Sequence, residues 1–153
     1  MRNQALPSVP LHRAPFVLLT LASLAFSSLA LAAAPKDAQL DKAITTAMDV
    51  DYLETNFDKA EKKLRAALEA CGDKQCTPAL KARGLVSLGI VLAGGKKQLD
   101  DAREVFVEAL QIDKEAKPAE DLRSSEVNYA FGEARKQLKL DGPAAPSGPP
   151  APT

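Results

Sequence analysis

Two thiols, one Gly-Gly-Lys-Lys run and a single imidazole are the side chains in this sequence whose types and spacing could do chemistry. Cys71 and Cys76 are separated by Gly72-Asp73-Lys74-Gln75. A redox dithiol has two intervening residues and a flanking βαβ pattern, and neither is found here. In an exported chain a nearby pair of this kind reads as a structural disulfide. It would close a very small loop and contribute about 2 kcal/mol on the loop-closure model. Gly94-Gly95-Lys96-Lys97 lacks both the phosphate-loop spacing and a preceding strand, so it reads as a turn between helices. His12 is the only His, Trp is absent, and the carboxylates are mixed with Lys and Arg along the same faces, as on a solvated surface. Neither an enzyme, a cofactor nor a metal site is expected.

His12 falls in a segment that reads as a leader. Arg2, His12 and Arg13 make a basic start, Phe16 to Leu31 is apolar, and Ala30-Leu31-Ala32 offers a small-residue cleavage site. Residues 1–32 are expected to be a signal peptide cut near Ala32-Ala33, which places the protein in the periplasm or outside the cell. The apolar run is nearly long enough to span a bilayer, so an uncleaved membrane anchor is the alternative. Of the 20 basic groups, cleavage removes Arg2 and Arg13 and leaves 18 against 20 acids, together with no His. A chain with no His has no ordinary Ser or Cys triad and no His-containing metal site. The small negative balance gives no reason to expect nucleic acid as a partner. At the other end, residues 141–153 carry Pro143, Pro146, Pro149, Pro150 and Pro152 with no apolar face, the composition of a disordered or polyproline-like tail.

Between these ends the apolar residues recur at helical spacing. Five helices without strand are predicted, near 37–55, 57–71, 78–93, 98–113 and 125–139. In the first, Leu40, Ala43, Ile44, Ala47, Met48 and Tyr52 or Leu53 face inward; in the second, Phe57, Ala60, Leu64, Ala67, Leu68 and Cys71 do. Gly72 reads as a left-handed cap, Thr77-Pro78 as a cap and first helical residue, and Ser124 or Ser125 as the cap of the last helix. Phe57, Ala60, Leu64 and Ala67-Leu68 echo Leu99, Ala102, Phe106 and Ala109-Leu110, so the chain repeats itself with Ala60 matched to Ala102.

The residues Leu88-Gly89, Leu92, the Gly pair, Ala102, Phe106, Ala109-Leu110 and Asp113 resemble the tetratricopeptide repeat, a helix-turn-helix unit of about 34 residues. Lys114 stands where that family has Pro, and Leu92 where it has Tyr. The resemblance implies an all-α fold over residues 33–140, a short TPR-like solenoid of two helix-turn-helix hairpins plus a C-terminal capping helix. It also implies a protein–protein interaction scaffold that binds a peptide or helix in a groove lined by the first helices. Carried over position by position, the groove residues are Lys42, Thr45, Asp49 and Tyr52 on the first helix and Arg83, Val86 and Ile90 on the third. Aligning Phe131-Gly132 with Leu88-Gly89 adds Tyr129 and Glu133. The alternative is a structural spacer of the cell envelope. An exposed apolar groove at Val86 and Ile90 favours the scaffold, and a covered one favours the spacer.

Overall fold

The computed structural model describes residues 34–140. The segment expected to be a signal peptide and the Pro-rich segment 141–153 lie outside the described residues. The elements are α1 (Asp37–Thr46), continued by a π-helical segment Ala47–Tyr52; α2 (Phe57–Cys71); α3 (Pro78–Ile90), continued by a second π segment Val91–Gly95; α4 (Leu99–Ile112); a 3₁₀ turn Glu120–Leu122; and α5 (Ser125–Gln137). No strand occurs among the described residues. The five helices and their bounds follow the apolar periodicity. The two π segments do not, because a turn with one extra residue has no marker in composition.

The caps explain where helices start and stop. Val127 N–H donates to Ser124 Oγ at 3.3 Å, so Ser124 caps α5. Gly72 follows Cys71 at φ +47°. Thr77 stands at the start of α3 in extended backbone, but its hydroxyl caps nothing. Its N–H donates instead to Asp37 Oδ1 at 2.8 Å, at the head of α1. Lys36 N–H donates to Gln75 O at 2.9 Å, so the loop between α2 and α3 is pinned to the start of α1. Within that loop Cys71 and Cys76 are buried at disulfide distance, with Cα atoms 5.1 Å apart.

The sequence repeat has a spatial counterpart. Asp41 on α1 pairs with Arg83 on α3 at 2.6 Å, and Tyr52 lies against Gly94; both partners stand 42 positions further along. The left-handed residues at the two hairpin turns, Thr55 and Lys97, both at φ 60°, are separated by the same step. With Asp37 beside Thr77 and Tyr52 beside Gly94, α1 runs parallel to α3, and each is followed by an antiparallel partner. Phe106, Leu40, Leu64, Leu88, Leu92, Leu110 and Val127 are fully enclosed between the helices.

The expected turn at Gly94-Gly95-Lys96-Lys97 is made by its last two residues and not by the glycines. Both lie in the second π segment, and the left-handed residue is Lys97. The glycines are needed for space. A Cβ on Gly95 would meet Phe57 Cδ1 at 2.4 Å, and one on Gly94 would meet the Tyr52 hydroxyl at 2.6 Å. Gly89 stands in the same relation to Phe106, whose Cε1 would be 2.4 Å from an added Cβ.

The last helix departs from expectation in its direction. Lys97, at the start of α4, pairs with Glu126, at the start of α5, and the Phe106 and Phe131 rings meet edge to face at 5.3 Å. α5 therefore runs parallel to α4, whereas alignment of Phe131-Gly132 with Leu88-Gly89 required it to run antiparallel. The cause is the connection. Residues 113–124 bury Pro118 and pack Ala116 and Leu122 on the core, returning the chain along α4 before α5 begins. An extended segment of that length covers about 40 Å, ample for a 14-residue helix of about 21 Å. α5 is a cover laid on α4 and on the second π segment, and it is not a third first-helix.

These packing and backbone features give opposite expectations for two exposed or tight positions. Gly95→Ala should lower stability by about 1–3 kcal/mol through overpacking on Phe57. Thr55→Gly, which relieves a β-branched residue at positive φ on an exposed turn, should raise it by about 1 kcal/mol. Urea unfolding of the two variants beside the parent decides both signs.

Candidate functional site

The residues expected to line a groove divide by burial. Lys42 and Thr45 on α1 and Asp49 on the π segment that continues it follow one another at offsets of three and four, share a stripe, and are exposed. Arg83 is exposed and bound to Asp41. Tyr52 is half-buried, with its ring 5.4 Å from Phe57, and burial raises the pKa of its hydroxyl. Tyr129 and Glu133 are half-buried on α5, with Glu133 paired to Lys136 at 2.7 Å. Because α5 is reversed, these two do not continue the row formed by α1 and α3.

Val86 and Ile90 correct the expectation directly. They are 5 % and 2 % exposed and belong to the central apolar cluster. The second half of the third helix is enclosed on all sides, from Gly84 through Ile90 and on into Val91, while Pro78, Ala79 and Arg83 in its first half are exposed. The apolar flank that Val86, Ile90 and Val91 add to the Leu85, Leu88 and Leu92 face is a second packing surface. What the first helices offer to solvent is polar.

Asp51, which periodicity did not single out, is the buried charge of the structure, with 0 % of its surface exposed. It stands on the same helical face as Leu40, Ile44 and Ala47; of the expected alternatives Tyr52 or Leu53, Tyr52 packs partly on the core and Leu53, on the opposite face, is 69 % exposed. The Asp51 carboxylate faces two ammonium groups from α2: Lys59 Nζ lies 2.9 Å from Oδ1, and Lys63 Nζ donates to Oδ2. Asn56 N–H donates to its backbone carbonyl at 2.8 Å. Hydrogen bonding from Lys63 and then Lys59 holds the Asp51 carboxyl below the usual range, against the cost of burial. This cluster ties the end of α1 to α2, and both its cations are already engaged. Among the described residues no three His, Cys, Asp or Glu side chains stand close enough to share a metal ion.

A second set of ion pairs joins the hairpins. Lys96 meets Asp58 and Glu61 of α2, each at 2.6 Å, and these contacts raise its pKa. Glu126 is pulled from 4.5 down to about 2, chiefly by Lys97 and then by a backbone N–H at its own position, with Ser124 and Ser125 adding to the effect.

Compared with protein-family models, with curated proteins and with solved structures, the chain has no match.

Two outcomes follow from this placement. Replacing Val86 and Ile90 together by Ser should cost about 4 kcal/mol, since it opens cavities and buries hydroxyls; an unchanged urea midpoint would place both residues at the surface. Glu126, whose folded pKa is depressed, contributes stability that is fully present above about 4.5 and is lost as pH falls toward about 2. Acid titration of the urea midpoint should therefore fall less steeply in that window for Glu126→Gln than for the parent chain.

Proposed function

We propose that this protein is an exported TPR-like helical module that binds another protein and does no catalysis. The observation that carries this reading is the register of the two hairpins. Equivalent residues 42 apart stand side by side, as Asp41 does with Arg83 and Tyr52 with Gly94. Stacked helical hairpins present extended surfaces, and their common use is to hold partners. Burial of Val86 and Ile90 moves the contact surface from an apolar trough to the polar stripe of Lys42, Thr45 and Asp49 beside Arg83. The buried Cys71–Cys76 pair and the basic-then-apolar start of the chain support residence in an oxidising compartment outside the cytoplasm.

The same burial favours a second reading, a spacer of the cell envelope, because a covered α3 offers no apolar anchor for a partner. Site-specific photocrosslinkers at positions 42, 45 and 49 of the full chain, activated in the producing cells, separate the two. The binding module predicts adducts of discrete mass that depend on position. A spacer predicts none at any of the three, and that result would sink the interaction reading for this face.

A further inference from the structure

A groove lies between α2 and α4. It is a cleft of about 420 Å³ whose floor is made by Leu68, Leu85, Leu88 and Val105. Leu68 and Val105 are partly open to solvent, while Leu85 and Leu88 close the bottom. A cleft of that size with an aliphatic floor is within the range that holds small apolar groups.

Its rim carries more negative than positive charge. Of the two cations on it, Arg65 is bound to Glu61 at 2.7 Å, and Lys81 Nζ donates to the Gly72 carbonyl at 3.0 Å. The three carboxylates on it, Glu69, Asp73 and Glu108, are exposed and have no hydrogen bond or ion pair among the described residues. The α4 side extends the same sign, because Glu104 and Asp101 are also exposed and unpaired there. Only Arg65 is neutralised by a carboxylate, and Lys81 keeps its charge, so three unpaired acids outnumber one cation around the floor; that excess attracts an apolar side chain flanked by ammonium or guanidinium groups.

We propose that the α2–α4 groove is a docking site for a cationic amphipathic segment of a partner protein. It would place an aliphatic side chain over Leu68, Leu88 and Val105 and its Lys or Arg groups on Glu69, Asp73 and Glu108. This deepens the protein-binding reading and rests on it, but it uses a different face from the α1 stripe. The acids steer the approach and set its orientation; the floor excludes water beneath the inserted side chain.

Fluorescence anisotropy with the full chain and three labelled synthetic peptides tests the proposal. One peptide carries Leu and Lys at helical spacing, the second replaces each Leu by Ser at the same charge, and the third replaces each Lys by Glu. The Leu/Lys peptide should bind, the other two should bind at least about tenfold more weakly, and Glu69→Lys with Glu108→Lys should weaken the first by about tenfold. Equal binding of the Ser/Lys peptide would reduce the effect to diffuse charge attraction and overturn the site. An unchanged affinity in the reversal variant would do the same. Asp73→Lys, in the exposed loop, gives an independent reversal should the double variant lose its helical circular dichroism. Adducts from the α1 crosslinkers that persist beside a failed peptide titration would discard this groove and leave the protein-binding reading standing. Concentration-dependent self-association without peptide, abolished by the reversal, would assign the groove to a second copy and overturn the proposal as stated.

Discussion

Two aromatic rings and a tyrosine hydroxyl occupy space that a methyl group would need, and the assembly of the hairpins depends on that exchange. Phe106 of α4 sits where Gly89 of α3 has only hydrogen, and Phe57 and Tyr52 do the same at Gly95 and Gly94. The first contact sets how closely α3 and α4 cross. The second sets how the α1–α2 turn seats against the α3–α4 turn. Dispersion contacts fall off steeply with separation, so a side chain at Gly89, against the fully buried Phe106 ring, pushes α3 and α4 apart.

Charge then fixes what packing leaves free. Asp51 ties the widened end of α1 to Lys59 and Lys63, Lys96 bridges to Asp58 and Glu61, and Lys97 holds Glu126 at the start of α5. These contacts gather at the end of the molecule where both hairpins turn. The opposite end is held by backbone and thiols: Lys36 to Gln75, Thr77 to Asp37, and Cys71 beside Cys76. The connection between the two hairpins runs there, in a loop bonded to the start of α1.

For function, the enclosure of α3 matters most. A first helix apolar on both flanks can present one flank to a partner or bury both, and this one buries both. On the proposed protein-binding function, recognition falls to surfaces whose apolar content is small and whose charges decide, such as the α1 stripe and the acid-rimmed cleft between α2 and α4.

Much of the fold was legible in the residues. Helical periodicity located five helices, and the match of Ala60 to Ala102 exposed a repeat whose step reappears as the Asp41–Arg83 pair. These features are local or periodic, and a chain must satisfy them wherever its helices end up. Tertiary structure alone decided the rest. Asp51 shares the buried face of Ile44 and Ala47, and a carboxylate is tolerated there only because α2 brings Lys59 and Lys63 against it. The direction of α5 was set by a return loop anchored on buried Pro118, which reads in sequence as an ordinary linker. Whether Val86 and Ile90 formed a groove or a core depended on what lies across from them. Periodicity shows that a helix face is apolar, and only the neighbouring helices determine whether that face is covered.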